Sequence, residues 1–386
     1  GIYPFKGMKL NRADVEWLLA THKNGSRVGD ENDWRQPGPD GLDLRGADLR
    51  HVDLSLLPLT RLRAGLKGDE WRNANAEQRA MAVVLMEGAS LHWAHLEGAY
   101  FYEAHLEEVD LREAHLEWAH FRGAHLEGAL LRGALLEGAT LYHAHLEGSD
   151  LRGAFFTSAT NLAGIFLSNE QFGCASLRGV RWDDVELAVI DWTQVKILGD
   201  EQRAQQRTGD NGKMKDKAVR LIEHKEAVRA NRKLAVALQG QGLNEEADRF
   251  AYRAQVLQKS ALWYQMTERG VPFSQRIQAL GGLFFSWFLF LLAGYGYKPI
   301  RSVIAYLVII FGFMGLYLLN AHFIAPHLTW DEALVLSVSS FHGRGFFTQN
   351  VTLGDTYARL ASVEAIVGLF IEISFIATFT QRFFGK

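Results

Sequence analysis

The sequence repeats with a period of five residues along much of its first 200 positions. A Leu or Phe recurs at every fifth position, and a small residue usually stands two positions before it. The first run of central residues is Leu44, Leu49, Leu54, Leu59, Leu91, Leu96, Phe101, Leu106, Leu111, Leu116, Phe121, Leu126, Leu131, Leu136, Leu141, Leu146, Leu151 and Phe156. After a one-residue slip at Asn161 the run continues with Leu162, Leu167, Phe172, Leu177, Trp182, Leu187, Trp192 and Ile197. A period of five fits neither an amphipathic helix nor an ordinary strand, so this region must fold as a solenoid.

The five-residue unit has a recognisable composition. Ala-His-Leu-Glu-Gly and close variants begin at Ala94, Ala104, Ala124 and Ala144. These units closely resemble those of pentapeptide-repeat proteins. The resemblance implies a right-handed quadrilateral β-helix with four pentapeptides per coil, in which the central Leu or Phe and the preceding Ala point inward. Coils would stack at the usual strand spacing of about 4.8 Å, so residues twenty apart would become neighbours.

The chain therefore has a mixed fold class with several parts. We expect an N-terminal helical segment over residues 1–40, and a β-helix over 41–200 with a helical insertion at 60–88. Asn75 followed by Gln78 is a helix-start signal inside that insertion. A linker of two amphipathic helices, predicted over Lys215 to Leu238 and Asn244 to Arg269, occupies 201–278. An interfacial helix at 279–298 and an α-helical transmembrane pore domain at 299–386 complete the chain.

Charged and titratable residues follow the repeat. Glutamates recur every ten residues at Glu97, Glu107, Glu117, Glu127, Glu137 and Glu147. Histidines stand two positions before most of them, at His95, His105, His115, His125 and His145. Stacked histidines could sense pH near 6.5. In the alternative interpretation they fill the Asp or Asn slot of the repeat as exposed ladder residues. We expect no metal and no cofactor.

Two segments are long and apolar enough to be transmembrane helices. Ser302 to Ala321 has twenty residues without a charge, which suffices to cross a hydrocarbon core of about 30 Å. Leu360 to Gln381 is of similar length and contains Glu364 and Glu372, which a pore could use. We interpret these segments as two spans.

The segment from Leu280 to Tyr297 is at the lower length limit for a span. Cytoplasmic flanks collect Lys and Arg, and a two-span topology puts all the nearby cations on one side of the membrane. Those cations are Arg269, Arg276, Lys298, Arg301, Arg382 and Lys386. We therefore expect Leu280 to Tyr297 to lie in the membrane interface, and a third span is the alternative.

Between the two spans, residues 329–348 combine a short helix signal with a glycine-rich turn. Thr329 and Glu332 form a capping box, and the apolar run that follows is too short to span. This order of span, half-length helix, Gly-x-Gly turn and span resembles the pore module of two-transmembrane potassium channels. The resemblance implies a re-entrant loop with a selectivity filter at Ser339, Ser340, Phe341, His342, Gly343, Arg344 and Gly345. His342 is an additional residue and Arg344 replaces the family's Tyr, so potassium selectivity does not carry over.

Arg344 allows two interpretations. Four copies facing the axis would favour anions. A side chain pointing outward would pair behind the filter with Glu332 or Glu364, and we favour this because an unpaired arginine ring at membrane depth is costly. Glu364 and Glu372 either line the cavity or pair laterally.

These features predict a homotetrameric ion channel, because two spans cannot enclose a pore alone. We expect inorganic ions as permeants, with cations favoured. The location is the lipid bilayer of the inner (cytoplasmic) membrane, with both termini cytoplasmic. An unknown cytosolic ligand or protein partner would act on the β-helix. The alternatives are an anion-selective or non-selective channel, or a membrane-tethered scaffold without conduction.

The net charge of -3 and the dispersed basic residues argue against nucleic-acid binding. The sequence has no catalytic motif, so we expect no enzyme.

Overall fold

The computed structural model describes residues 3–21, 40–209, 212–296, 299–320, 328–343 and 356–384. The chain divides into two compact units, Gly1–Leu257 and Gln258–Lys386.

Parallel backbone pairing between successive coils forms the body of the first unit. His105 pairs with His125, and His125 pairs with His145. The amide of Leu106 donates to the carbonyl of His125 at 2.8 Å, and the amide of His125 donates to the carbonyl of Ala104 at 2.9 Å. Residues twenty apart are therefore neighbours, as the resemblance to pentapeptide repeats implied, and the chain forms a β-helix. Its handedness and four-sided cross-section remain predictions.

Leu and Phe side chains fill the interior of this β-helix. Leu106, Leu126 and Leu146 are fully buried, and the rings of Phe101 and Phe121 stack with centroids 5.0 Å apart. Each buried side chain of this size contributes about 1.5–3 kcal/mol to stability. The apolar positions of the repeat thus form one continuous core along the coils.

The repeat becomes irregular after residue 157. Strand β1 (Phe155–Thr157) pairs in parallel with β4 (Arg181–Asp183), whereas β2 (Ser168–Asn169) and β3 (Gly173–Cys174) form an antiparallel hairpin. This hairpin takes Phe172 out of the interior, and Ile197 is also only half-buried, so both were wrongly predicted as core residues. Short 3-10 turns at Leu187–Val189 and Trp192–Gln194 replace regular coil near the end.

The predicted insertion contains two short helices, α2 (Gly68–Asn73) and α3 (Ala76–Ala82). Asn75 caps α3 by accepting a hydrogen bond from the amide of Gln78. Pairing resumes across the insertion, because Pro58 pairs with His95 as if the inserted residues were absent. The insertion therefore leaves the stacking of the coils intact.

Helices close both ends of the β-helix. Helix α1 (Arg12–Thr21) buries Val15 and Leu19 at the first coil. At the other end lie α4 (Gly199–Gln205), α5 (Lys217–Gly240) and α6 (Asn244–Thr267). Both long helices lie within two residues of their predicted bounds.

The two long helices do more than the predicted linker. Leu234 and Leu238 of α5 and Phe250 of α6 belong to the same buried core as Trp192. Arg253 Nε also donates to Glu201 Oε2 at 2.9 Å. The sequence predicts only a connector here, whereas these residues cover the apolar end that a solenoid otherwise exposes.

The second unit is helical. It contains α7 (Phe273–Ala293), a 3-10 turn at Gly294–Gly296, α8 (Pro299–Leu319), α9 (Trp330–Phe341) and α10 (Thr356–Phe384). Among the described residues, two helical stretches are long and apolar enough to cross a membrane, Phe273–Leu292 and Ile300–Leu319. The first lies in α7, which begins several residues before the predicted interfacial segment. The predicted second span lies within α10.

A left-handed backbone conformation recurs at the turns between paired residues of the β-helix. Glycine often occupies this position, as at Gly133 (φ +71°) and Gly138 (φ +66°), but Glu113 occupies it with φ +55°. An L-residue with a side chain is strained there by about 1–2 kcal/mol, and glycine is not.

We therefore expect Glu113→Gly to raise the free energy of unfolding by about 1 kcal/mol, since relief of strain exceeds the entropy of the more flexible unfolded chain. Denaturant titration of the full chain in detergent measures this change. Glu137→Gly is the matched control: it removes the same side chain at a position outside the set with positive φ, and should lower stability. An equal loss of stability in both variants would contradict the strain argument.

Candidate functional site

The first candidate site surrounds α9, the short helix of the second unit. Thr329 caps its N-terminus, and Glu332 completes the capping box by accepting the backbone amide of Thr329 at 3.0 Å. With 12 residues, α9 is about 18 Å long, which is too short to cross a bilayer core of about 30 Å. It packs against both α8 and α10.

A buried hydrogen-bond cluster holds α8, α9 and α10 together. The Glu364 carboxylate accepts from Tyr317 Oη at 2.7 Å and from Ser337 Oγ. Ser337 Oγ also lies 2.9 Å from the carbonyl oxygen of Ile310. Tyr317, Ser337 and Glu364 have no exposed surface. A carboxylate needs such donors when water is excluded, so the cluster ties one side chain from each helix into one unit.

Glycine allows the C-terminal end of α9 to approach α10 closely. A Cβ atom on Gly368 would overlap the carbonyl oxygen of Phe341. Beyond Phe341, Gly343 takes a left-handed conformation with φ +68° and ends the helix. The position of the chain after α9 therefore depends on a contact that only glycine permits.

His342, the first residue after α9, pairs with Glu372 of α10. His342 Nδ1 lies 2.5 Å from Glu372 Oε1, and each side chain is 39% exposed. Both line a cavity of about 350 Å³, together with Tyr306 of α8. A carboxylate–imidazole pair is thus accessible at the C-terminal end of α9, where the helix dipole is negative.

The structure changes part of the predicted filter. Ser339, Ser340 and Phe341 form the last turn of α9 and are not extended, and Ser339 Oγ donates to the carbonyl of Val335. The capping box starts α9 at Trp330, and the apolar residues that follow continue the helix through Phe341. His342 and Gly343 follow the helix directly, whereas Arg344 and Gly345 lie outside the described residues. The predicted pairing of Arg344 with Glu332 or Glu364 therefore also lies outside them.

Glu364 and Glu372 lie in different surroundings. Glu364 is enclosed within the unit, whereas Glu372 faces the cavity. Sequence reasoning missed Tyr317, Ser337 and Gly368, which contact these regions. A hydroxyl in an otherwise apolar helix, such as Ser337, was the one available signal.

The second candidate site is formed by histidines and glutamates on the surface of the β-helix. His Nδ1 to Glu Oε1 distances are 3.0 Å for His95–Glu97 and His105–Glu107, 3.2 Å for His125–Glu127 and 3.3 Å for His145–Glu147. His115 lies farther from Glu117, at 3.6 Å. Rings of successive coils stack, with centroids 4.6 Å apart for His95 and His115 and 5.1 Å apart for His105 and His125.

The surroundings shift the pKa values of these histidines in opposite directions. Hydrogen bonds to Glu107 and Glu127 raise the pKa values of His105 and His125, respectively. His120 fills the same slot of the repeat on another face and stacks on Tyr100 at 4.9 Å. Burial lowers the pKa of His120. The stacked histidines therefore differ in pKa, although their regular spacing in the sequence would suggest that they are equivalent.

We predict opposite pH effects on stability for two single substitutions. A raised pKa stabilises the fold below the unfolded-state value near 6.5, and this contribution is lost as pH rises through the folded-state pKa. A lowered pKa stabilises the fold above that value and is lost as pH falls. His105→Gln should therefore cost more stability at pH 5.5 than at pH 8, and His120→Gln should cost more at pH 8.

The expected differences in the free energy of unfolding are a few tenths to about 1 kcal/mol. They are small because solvent screens a charged histidine that is partly exposed, and a neutral histidine forms no ion pair. Denaturant titrations of the full chain in EDTA at both pH values measure them. The same pH dependence in both variants would refute the assignment.

We also predict that Gly368→Ala disrupts the packing of α9 on α10. The added methyl group forces the helices apart and should cost about 1–3 kcal/mol. Thermal unfolding of the full chain in detergent measures this loss. Gly281→Ala in α7 is the matched control, because an added Cβ meets open space there. If both variants unfold at the same temperature as the unmodified protein, Gly368 does not lie close to the Phe341 carbonyl.

Comparison with known proteins finds a family match within the first unit. A sequence model of pentapeptide repeats matches residues 89–128 and 119–157 with 8 copies of the repeat. The solved pentapeptide repeat protein Rfr23 from the cyanobacterium Cyanothece 51142 is 27% identical and aligns over 35% of this chain and 88% of its own, with a TM-score of 0.27. HetL from Nostoc sp. strain PCC 7120, which is involved in heterocyst differentiation regulation, is 26% identical over 36% of this chain and 52% of its own, with a TM-score of 0.19.

A pentapeptide repeat protein from the Arabidopsis thaliana thylakoid lumen is 21% identical over 44% of this chain and 85% of its own, with a TM-score of 0.13. The search of curated proteins found no significant match. The repeat model and the observed stacking of five-residue units agree over the same residues. Residues 89–157 of this chain therefore match the pentapeptide-repeat family, and its first unit contains the repeat β-helix.

Proposed function

We propose that this chain is the subunit of a homotetrameric membrane ion channel whose gating is coupled to its pentapeptide-repeat domain. The observation that carries the proposal is the position of α9. This half-length helix packs against two long apolar helices, and its C-terminal end lies against Gly368. Non-helical backbone at membrane depth is tolerated where it lines a water-filled cavity, and a re-entrant helix of this kind leads into such backbone.

The surface of the second unit supports placement in a membrane. Of the described residues, 25 large apolar side chains are exposed in the second unit, against 10 in the first, which is about twice as long. Phe284, Leu291 and Leu319 are each more than two thirds exposed. Apolar surface of this extent is costly in water, and lipid tails would cover it.

The proposed topology has α8 and α10 as spans on either side of α9. Helix α7 then lies in the interface with Trp287 at headgroup level, and its length and composition also permit a crossing. Both termini and the β-helix are cytoplasmic, in the inner (cytoplasmic) membrane. Four copies are needed because α8 and α10 of one chain cannot surround an aqueous path.

Charge at the end of α9 favours cations over anions as permeants. The C-terminal end of a helix carries a partial negative charge, and the accessible Glu372 carboxylate lies beside it. An arginine ring at position 344 would favour anions, so an anion-selective or non-selective channel is the competing form of the proposal. A membrane-tethered scaffold that binds a protein partner is the form without conduction.

Planar-bilayer recording of the purified full chain in a KCl gradient tests the proposal. We expect unitary currents that reverse towards the K⁺ equilibrium potential, and a tetramer in detergent. Glu372→Gln should lower cation conductance, because it removes a charge from the cavity. Glu332→Gln is the matched control: it keeps a capping side chain at the opposite end of α9 and should leave conductance unchanged.

Reversal towards the Cl⁻ potential would replace the cation channel with the anion channel. A monomer or dimer that conducts nothing across pH, voltage and tension would refute the channel and favour the scaffold.

A further inference from the structure

We propose that one face of the β-helix binds divalent transition-metal ions of the zinc class. The site is a glutamate–histidine column consisting of Glu87, His105, Glu107, His125, Glu127, His145 and Glu147. This inference is independent of the proposed channel, because it depends only on the first unit. It also departs from our expectation from the sequence, which favoured no metal.

The column repeats one arrangement of three side chains. Each group consists of a histidine, the glutamate two residues later and the glutamate of the preceding coil. The three groups are Glu87–His105–Glu107, Glu107–His125–Glu127 and Glu127–His145–Glu147. Within each group, one ligand atom per side chain lies within 4.8 Å of the others. Zinc ligands bond at about 2.0–2.2 Å, so small side-chain rotations bring such atoms around one ion.

Carboxylate oxygens of the column are available to a cation. The Oε2 atoms of Glu87, Glu107, Glu127 and Glu147 are buried without a hydrogen-bond partner, and so are those of Glu97 and Glu117 on another face. The Glu147 side chain is only 7% exposed, so water cannot solvate it freely. Native proteins seldom leave such an acceptor unsatisfied, and here the same unsatisfied atom recurs in successive coils. A cation would satisfy it.

The backbone holds the imidazole ligands in place without a metal. His105, His125 and His145 pair through their backbones in successive coils. The rings of His125 and His145 are 5.0 Å apart and within 6° of parallel. Each Nδ1 atom already points to a glutamate oxygen, so a metal ion can replace the shared proton at that position. Preorganisation of this kind lowers the cost of binding.

The ligand types determine the class of metal. Imidazole nitrogen with carboxylate oxygen suits Zn²⁺, Ni²⁺ and Cu²⁺, whereas Mg²⁺ and Ca²⁺ prefer oxygen alone. Three protein ligands leave a coordination position for water. A second, shorter group on another face, His95–Glu97–His115, offers two imidazoles and one carboxylate. It does not continue, because Leu135 follows His115 in the next coil.

Shared ligands limit the occupancy of the column. Glu107 and Glu127 each belong to two groups, so the middle group competes with both neighbours. The two outer groups share no residue. We therefore expect the column to bind two ions per chain when saturated.

Isothermal titration of Zn²⁺ into the full, tag-free chain, stripped with EDTA and kept in detergent, tests the proposal. Co²⁺ absorption reports tetrahedral coordination independently. The double variant His105→Gln/His145→Gln keeps only the middle group, so it should bind one fewer ion than the unmodified chain. Glu127→Gln keeps only the first group and should also bind one fewer. His120→Gln removes a histidine from the same slot of the repeat on another face, and it should bind as many ions as the unmodified chain.

Circular dichroism confirms that each variant is folded before titration, and excess Mg²⁺ should not displace Zn²⁺. The proposal is overturned if the unmodified chain does not bind Zn²⁺, or if the folded double variant binds as many ions as the unmodified chain. Equal losses in the double variant and in His120→Gln would also overturn it, since they would indicate nonspecific binding.

Discussion

Parallel hydrogen bonding between coils is the constraint on which the first unit depends. Because each coil pairs with the next at a fixed register, as His105 does with His125, a residue type repeated at this interval becomes a column. Apolar columns make the core, and polar columns concentrate one chemistry on one face. The His105–Glu107 contact is therefore reproduced one coil later as His125–Glu127. The same backbone rule thus produces both the stability of the domain and its candidate metal site.

A solenoid stacked in this way has two apolar ends and unpaired backbone at each. In this chain, helices close them: α1 covers the first coil, and α5 with the start of α6 covers the last. Phe250 packs edge-on against Trp192 with ring centroids 6.0 Å apart, which fixes the closing helices to the final turns. The second unit meets a different requirement, since its buried Glu364 binds hydroxyls from two other helices within an otherwise apolar environment.

The sequence predicted those features that depend on short-range periodicity. The period of five located the buried leucines, and the capping signals located α3 and α9. The hairpin that displaces Phe172 was not predictable, because the residue keeps the period while the backbone departs from it. The contacts of Gly368 and Tyr317 join residues far apart in the chain, which local patterns do not encode. Ser339 to Phe341 were assigned by resemblance to a family, although the capping box already predicted a helix through them.

The β-helix keeps its pairing register across the insertion of α2 and α3, and this property bears on how such a domain can evolve and be engineered. Pro58 still pairs with His95 although a helical excursion separates them, and the hairpin of β2 and β3 leaves Asp150 paired with Ser176. Turns therefore accept additional chain without changing the order of the columns. New segments could be grafted at such turns as recognition modules, while the paired residues between them keep their spacing.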